Sequence, residues 1–326
     1  MLTPSRYLRA CAVLALLAGP TAHAEWYGDA QDKMGTRVEI QLWSEDESAA
    51  RRQLAAGMAE FDRIEGWMST YLDNSEITRV NQQAAAGPVR VSPELFDIVE
   101  RSLDMSVRSD GAFDITFDSV GRLYDFRSGV RPDAEAIREN LPEINYRHVI
   151  LDRDASSIRF SVPGTRINLG GIGKGYACEK VAKLLGEAGV RNARVNAGGD
   201  TRFIGDRRGQ PWIVGIRDPD DEKRWVSRLA LDNEAASTAG DYERYFDKDG
   251  VRYHHILDPK TGESARGIRS VTVIGSDATM TDGLDDAVFV LGLEKGLALI
   301  DATPGYAAVV IDANHNVRFS RGLQSR

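Results

Sequence analysis

The 326-residue sequence predicts an α+β fold with largely antiparallel sheets. Helix-like and strand-like segments both occur, but they do not alternate regularly enough for a doubly wound parallel sheet. Short runs of alternating polar and apolar residues dominate the second half, and the gaps DKDG and DANHN have the composition of hairpin turns. No internal repeat, low-complexity tract or flexible linker is visible, so we expect a large core in one domain or two fused lobes.

The first 24 residues are interpreted as a cleavable export signal. Two arginines precede the short apolar run ACAVLALLAG, and AHA at 22–24 offers a small-x-small cleavage pattern. The run is too short to span a bilayer as a mature helix. A buried N-terminal helix is the alternative, and a lipid anchor at Cys11 is disfavoured because no apolar run precedes LRAC. We therefore expect a periplasmic protein whose mature domain covers 25–326.

Charge and cysteine content exclude some classes of function. The formal net charge is −8, and removal of Arg6 and Arg9 with the signal makes it −10. Beyond the pairs Arg51–Arg52 and Arg207–Arg208 no basic cluster stands out, which argues against nucleic acid as a partner. Cys178 would be the only mature cysteine, so an internal disulfide is excluded. Either a catalytic thiol or a buried helix residue fits this cysteine, and the sequence favours burial.

Three amphipathic helices are expected before or among the strands. The segment 48–68 carries apolar residues at helical spacing, and 92–111 begins with an N-cap serine and a proline and ends at glycine. A third helix is expected over 176–189. Strands are expected at HVILD, SIRFSV, ARVNAG, PWIVGI, VSRLAL, RYF, VRYHHIL and RSVTVIG, and two helices and the hairpin AAVVID–NVRFS close the chain. The charged segment DPDDEKR (218–224) is expected to be a solvated loop.

The segment TMTDGLDDAVFVLG (279–292) is an acidic helix. Asp282 and Asp286 are four residues apart and share a helix face, with Asp285 beside them. Like charges at this spacing destabilise a helix by about 0.2–0.5 kcal/mol, and Gly283 adds about 1 kcal/mol. Two interpretations are open: the acids complement the helix dipole, or they are ligands of a divalent cation that removes the repulsion. Oxygen ligands without a nearby cysteine suit Mg²⁺.

The stretch RINLGGIGKGYACEK (166–180) is a glycine-rich loop that leads into a helix. It matches neither a Walker loop, since Asn168 and Gly175 occupy positions that need glycine and Ser/Thr, nor a dinucleotide fingerprint. Exposed amides and Lys174 could bind an anion at the helix start. Tight packing of the helix against a sheet explains the glycines equally.

The segment YHHILDPKTG (253–262) contains two adjacent histidines. In a strand they point to opposite faces, so at most one reaches a given site. His255 lies close to the strand end, where a cleft can open, and either catalysis or structural hydrogen bonding fits it. The pieces MGTRVEI and GAFDIT are weak signals by themselves, since each could be a plain junction between a turn and a strand.

Together these segments resemble the ApbE family, the FAD:protein FMN transferases, over nearly the whole mature chain. Eight pieces follow in the family's order, and no single one is decisive. They are MGT (34–36), MSTYLDNSEITRVN (68–81), GAFDIT (111–116), INLGGIGKGYACEKVAKLL (167–185), VNAGGD (195–200), STAGDYERYF (237–246), YHHILDPKTG (253–262) and TDGLDDAVFVLG (281–292).

The resemblance implies two related lobes with FAD between them. It implies Mg²⁺-dependent cleavage of the FAD pyrophosphate and transfer of FMN to a threonine hydroxyl of an acceptor protein, with release of AMP. His255 would be the catalytic histidine. By position, the metal ligands would be the carbonyl of Gly171 together with Asp282 and Asp286. The implied FAD contacts are Met34, Tyr71, Ala112, Phe113, Asp114, Asn168, Lys174 and Leu257.

This sequence departs from the family pattern at three places. Asn168 replaces a usual aspartate, Ala239 a common serine, and Asp286 a threonine found in some members. The implied acceptors are extracytoplasmic domains of membrane redox complexes, namely sodium-pumping quinone reductases, Rnf-type complexes or a nitrous-oxide respiration regulator. Two rival functions stay open: an FAD pyrophosphatase that releases FMN and AMP, and an exported flavin-binding protein without catalysis.

Overall fold

The computed structural model describes residues 24–324, so the predicted export signal lies outside the described residues except for Ala24. Every strand pair between named strands in this part of the chain is antiparallel. Helices pack against these sheets without regular strand–helix alternation. The predicted α+β class with largely antiparallel sheets is confirmed.

The dominant element is an eight-stranded sheet with spatial order β1-β2-β6-β7-β10-β15-β16-β17. A three-stranded sheet (β3-β5-β4) and three hairpins (β8-β9, β11-β12, β13-β14) accompany it. The strands are β1 (Glu25–Lys33), β2 (Thr36–Ser44), β3 (Val89–Arg90), β4 (Val149–Asp152), β5 (Ser157–Phe160), β6 (Ala193–Ala197), β7 (Asp200–Ile204), β8 (Trp212–Asp218), β9 (Asp221–Leu231), β10 (Ala235–Gly240), β11 (Tyr245–Lys248), β12 (Val251–His254), β13 (Leu257–Asp258), β14 (Glu263–Ser264), β15 (Ile268–Gly275), β16 (Ala307–Asp312) and β17 (Val317–Phe319).

Helices of very different length connect and cover these strands. They are α1 (Glu47–Met68), α2 (Glu76–Gln83), α3 (Pro93–Arg108), α4 (Asp118–Gly121), α5 (Ala134–Asn140), α6 (Gly173–Glu187), α7 (Ala278–Leu291), α8 (Leu293–Asp301) and α9 (Arg321–Gln324). Short 3-10 turns lie at Ile115–Phe117, Leu141–Glu143 and Tyr146–His148. Within 24–324, no helix combines the length and the apolarity that crossing a bilayer requires.

The long predicted helices form for the expected reasons. The carboxylate of Asp46 caps α1 by accepting the amides of Ser48 and Ala49, and the apolar stripe of α1 is buried through both Trp67 and Met68. Ser92 caps α3 in the same way, with Pro93 in the first turn. Since both predicted stripes face the core, the helical spacing in the sequence identified these elements correctly.

The large sheet is buried on both faces. Along β10 and β15, Ala235 and Val273 join the main core, whereas their neighbours Ala236 and Ile274 join a smaller cluster with Trp212. Tyr176, Phe61 and Phe289 are among the largest fully buried side chains and come from α6, α1 and α7. Helices therefore cover one face of the sheet, and the β8-β9 hairpin packs on the other.

Both predicted hairpin turns are confirmed. Asp249 and Gly250 connect β11 to β12 with φ of 53° and 74°, the left-handed pair that suits a tight turn between twisted strands. The DANHN segment connects β16 to β17. The predicted strands are found at their expected places, and their ends differ from the predicted ends by at most five residues.

The charged segment 218–224 is largely exposed to solvent, as expected, but it forms a hairpin and not a loop. Asp218 and Asp221 pair across a tight turn, so the segment ends β8 and begins β9. Asp218 can be buried because its carboxylate has partners: it accepts the amide of Asp220 and forms an ion pair with Arg224. Charged residues that satisfy one another across a turn can occupy a hairpin, and a high charge content alone does not predict a loop.

Candidate active site

The glycine-rich loop places the start of α6 directly against the start of α7. The helix begins at Gly173, three residues before the predicted start, because the amides of Gly173 and Tyr176 already bond to the carbonyls of Leu169 and Ile172. At Gly175 a Cβ would lie 2.1 Å from the carbonyl oxygen of Ala278 in α7. Close packing therefore requires glycine at position 175.

This contact fixes the first acidic residue of α7. Asp282 is 3% exposed, and its Oδ2 accepts the amide of Gly175 at 2.8 Å. Its other oxygen, Oδ1, lies 3.3 Å from Nζ of Lys174. One oxygen of Asp282 is thus held by the backbone of α6, and the other faces the ammonium group.

Asp200 completes the ionic cluster, although sequence reasoning assigned it no role. The turn of Gly198 and Gly199, with φ of 64° and 125°, joins β6 to β7 and places Asp200 at the first position of β7. Asp200 is 3% exposed, and its Oδ2 lies 2.8 Å from Nζ of Lys174. The signal in the sequence was an aspartate immediately after two glycines at a strand junction.

The carboxylates of the site come from two elements. One ligand atom from each of Asp200, Asp282 and Asp285 lies within 4.8 Å of the others, and all three residues are buried. Asp286 approaches the glycine loop, since a Cβ on Gly171 would lie 2.5 Å from its Oδ2. The structure therefore places the predicted ligands Gly171 and Asp286 close together. It also places Asp200 and Asp285 beside the third predicted ligand, Asp282.

Burial and mutual repulsion govern the charges of this cluster. Burial first, and then the charge of Asp200, raises the pKa of Asp282 to about 7 against the attraction of Lys174. Burial and the charge of Asp282 raise the pKa of Asp286 to about 7, and the pKa of Asp285 is also raised. Burial lowers the pKa of Lys174, but Asp200 and Asp282 outweigh it and hold that pKa well above its usual value.

The donor set fits a hard divalent cation. Four carboxylates lie close together, three of them buried, and Lys174 forms ion pairs with two of the four, so the cluster carries uncompensated negative charge unless protons or a cation neutralise it. All of the side-chain ligands on offer are oxygens, which Mg²⁺ prefers. Asp282, Asp286 and the carbonyl of Gly171 are the groups that would hold the ion.

His255 lies just beyond the end of β12. Its amide donates to the carbonyl of Arg244, and its Nδ1 is buried without a hydrogen-bond partner among the described residues. Burial first, and then the charges of Arg244, His254 and Lys174, lowers the pKa of His255 to about 3. The imidazole is therefore neutral at pH 7.

The adjacent histidine has a structural position. His254 is 2% exposed, its Nε2 lies 2.9 Å from the carbonyl oxygen of Ala265, and its ring packs edge-on against Phe289. His254 thus belongs to the core, and the assignment of chemistry to His255 stays a prediction.

The predicted FAD contacts occupy different surroundings. Met34 has φ of 52° in the turn between β1 and β2, and the next residue, Gly35, accepts a hydrogen bond from Arg244 beside His255. The side chain of Tyr71 is 90% exposed. Asn168 donates to Asp118 and accepts the amide of Gly170, which fixes the start of the glycine loop.

The remaining predicted contacts are buried. Phe113 lies beside the glycine loop, since its ring is 3.3 Å from where a Cβ on Gly171 would be. Both oxygens of Asp114 bond internally, one to Thr116 and one to the amide of Tyr146. Ala112 is buried next to Phe113, and Leu257 is buried in a small apolar cluster with Val120, Tyr124 and Ile137.

Cys178 does not belong to the reactive groups. It is fully buried in α6, its thiol donates to the backbone carbonyl of Asp200 at 3.3 Å, and burial raises its pKa. A protonated, inaccessible thiol is a poor nucleophile. The expected burial of this residue is confirmed.

Carboxylates, a lysine and a glycine loop in this arrangement are groups that enzyme sites for phosphate chemistry use. The ApbE family model matches residues 34–310. An FAD:protein FMN transferase from Vibrio cholerae is 33% identical to this chain, over 91% of this chain and 90% of the relative. One from Klebsiella pneumoniae is 31% identical, over 88% of this chain and 89% of the relative.

Solved structures agree with these sequence matches. The ApbE protein from Thermotoga maritima has a TM-score of 0.86 at 32% identity, over 92% of this chain and 99% of that one. The flavin transferase ApbE from Vibrio cholerae has a TM-score of 0.83 at 27% identity, over 93% and 99%. This chain belongs to the ApbE family. The expected enzyme class, a transferase, is confirmed by the relatives.

Proposed function

We propose that this chain is a Mg²⁺-dependent FAD:protein FMN transferase. It cleaves the pyrophosphate of FAD, joins FMN through a phosphoester bond to a threonine of an acceptor protein, and releases AMP. The observation that carries this proposal is the buried cluster of Asp200, Asp282 and Asp285 beside Lys174, with Asp286 next to it at the glycine loop. Family membership and the names of the relatives support the flavin substrate.

In this proposal the magnesium ion would bind at the acidic cluster. Asp282 and Asp286 would hold it with the carbonyl of Gly171, for the reasons of burial and charge given above. Bound there, Mg²⁺ supplies Lewis-acid neutralisation of the charge that develops on phosphate oxygens. Lys174 adds a fixed positive charge on the same side, which favours binding of the diphosphate.

We assign His255 the role of general base for the acceptor hydroxyl. Its ring is neutral at pH 7, since burial lowers its pKa, and it lies near enough to Lys174 for the two groups to interact electrostatically. In the proposed step the threonine oxygen attacks the phosphorus of the FMN half while His255 takes the hydroxyl proton. The bond to the bridging oxygen breaks, and AMP leaves with that electron pair.

The cofactor contacts expected from the family would surround this centre. The exposed ring of Tyr71 offers a stacking surface for an aromatic ligand, and the turn at Met34 lies on the side of Arg244 and His255. Asn168 and the segment of Ala112, Phe113 and Asp114 flank or support the glycine loop. We propose Leu257 as an apolar contact with the flavin nucleotide.

We further propose that the enzyme works in the periplasm. The apolar run and the AHA site at 22–24 support export, and they lie at or before the first described residue. Its acceptors would then be extracytoplasmic threonine-bearing domains of membrane redox complexes, of the sodium-pumping quinone reductase or Rnf type, or of a nitrous-oxide respiration regulator.

The test separates transfer from hydrolysis and from simple binding. Mature protein, FAD and MgCl₂ are incubated with and without an acceptor domain that carries a threonine motif, and AMP is measured by chromatography. We expect rapid AMP release only with the acceptor. Equal AMP release without acceptor would indicate a pyrophosphatase, and FAD binding without any AMP would indicate a flavin-binding protein.

Two variants assign the roles within the same assay. Asp282→Asn should abolish AMP release, and His255→Ala should slow it strongly, while Glu294→Gln on the exposed side of α8 serves as the control. Undiminished AMP release by Asp282→Asn would remove the metal role, and an unchanged rate in His255→Ala would remove the proton transfer.

A further inference from the structure

The ammonium group of Lys174 lies between two carboxylates of different function. Its Nζ is 2.8 Å from Oδ2 of Asp200 and 3.3 Å from Oδ1 of Asp282, with the carbonyl of Gly170 at 3.5 Å. Asp282 is a proposed metal ligand, and its Oδ2 is already held by the amide of Gly175. Lys174 and a divalent cation therefore compete for the same oxygen of Asp282.

Asp200 offers Lys174 a second partner that is fixed in place. It begins β7, an interior strand of the large sheet, and the thiol of Cys178 donates to its backbone carbonyl. The residue is buried, so water competes little for its carboxylate. The shorter of the two ion-pair distances is the one to Asp200.

Removal of Asp200 would leave the lysine with one carboxylate. The long side chain of Lys174 would then turn towards Asp282 and withdraw its charge from the open side of the site, where the side chain is 26% exposed. Since a lysine ammonium is a point charge on a flexible stem, its direction depends on the partners that hold it.

We propose that Asp200 is a positioning residue that holds Lys174 in place to bind the diphosphate of FAD. The inference rests on the proposed function. With a cation on Asp282, Asp200 keeps the ammonium in the site, and the remaining hydrogens of the ammonium are available to phosphate oxygens. Asp200 itself has no contact with the flavin nucleotide in this arrangement.

This role predicts that neutralisation of Asp200 changes the affinity for FAD in the direction opposite to that expected from the charge of Asp200 alone. If Asp200 acted only through its negative charge, its neutralisation would strengthen binding of the anionic diphosphate. If Asp200 acts through Lys174, its neutralisation weakens FAD binding, and the effect disappears once the lysine is removed.

The experiment is a double-mutant cycle on FAD affinity. Mature protein in MgCl₂ without acceptor is titrated with FAD, and flavin fluorescence is followed for wild type, Asp200→Asn, Lys174→Met and the double variant. We expect Asp200→Asn to weaken binding about tenfold, equivalent to about 1.4 kcal/mol. In the Lys174→Met background the same substitution should change the affinity by less than about twofold.

Two controls and one alternative cycle make the outcome decisive. Thermal unfolding of each variant reports on folding, and Asp200→Glu, which keeps the carboxylate, should recover most of the affinity. If Asp200→Asn does not fold, the cycle is run with Asp200→Glu, whose smaller loss should again require Lys174. Tighter FAD binding by Asp200→Asn, or an equal loss in both backgrounds, overturns the inference. Such a result leaves the proposed function intact if the wild type still transfers FMN to an acceptor.

Discussion

Substitution of Gly175 by alanine tests whether the contact between α6 and α7 builds the site. The added Cβ would lie 2.1 Å from the carbonyl oxygen of Ala278 and 2.6 Å from Cβ of Asp282. Real Cβ atoms essentially never approach within 3.0 Å, so the helices must separate by at least 0.9 Å at this point, the difference between 3.0 and 2.1 Å. The same movement stretches the hydrogen bond from the amide of Gly175 to Asp282, which is 2.8 Å long.

Gly186→Ala is the matched control on the same helix. Its Cβ would meet nothing within 4 Å, and both variants gain the same helix propensity, about 1 kcal/mol at most. The difference between the two variants therefore isolates the steric effect, for which we expect about 1–3 kcal/mol of lost unfolding free energy. A displacement of about 1 Å in the position of Asp282 should also reduce the transfer rate about a hundredfold.

Urea denaturation gives the stability difference, and acceptor-dependent AMP release gives the rate. We expect Gly186→Ala to match or slightly exceed wild-type stability and to retain full activity. If Gly175→Ala behaves like Gly186→Ala in both measurements, the packing of α6 against α7 does not hold Asp282 in position, and the structural basis of the cation site is wrong.

Three further predictions concern the site and its surroundings. Burial and like charges raise the pKa values of Asp282 and Asp286 to about 7, so protons compete with Mg²⁺ for these carboxylates. Calorimetry should therefore show weaker Mg²⁺ binding as the pH falls from about 8 to about 6. A pH-independent affinity would contradict this. Tyr71→Ala should leave stability unchanged because the ring is exposed, but it should weaken FAD binding by about 0.5–1.5 kcal/mol. Tyr71→Phe should retain the affinity, and equal losses of affinity in both variants would exclude stacking. Cys178 in the mature chain should resist thiol reagents until the protein unfolds, and rapid native labelling would refute its burial.

The sequence predicted those parts of the fold that depend on local chemistry. Ser92 begins α3 because its side chain satisfies a backbone amide of the first turn, and such a cap is visible as a residue type before an apolar stripe. The left-handed turn at Asp249 and Gly250 is likewise encoded in two adjacent residues. Such local signals need no knowledge of tertiary contacts.

The rest depended on contacts between distant segments. The charges of 218–224 indicated a loop, but the ion pair of Asp218 with Arg224 lets this segment form a hairpin. Asp200 is 82 residues from Asp282 in the chain, and only the order of strands in the large sheet brings β7 to α7. The spacing within one helix pointed to Asp282 and Asp286 and could not reveal a carboxylate on another element.

The proposed function requires that FMN become covalently attached to an acceptor protein, and that the carboxylate cluster at the start of α7 catalyse this step. Intact-mass spectrometry of an acceptor domain, after incubation with mature enzyme, FAD and Mg²⁺, tests it most directly. We expect a gain of one FMN less one water, located on a threonine by fragmentation and absent with Asp282→Asn. An unchanged acceptor mass while FAD is consumed would contradict the account.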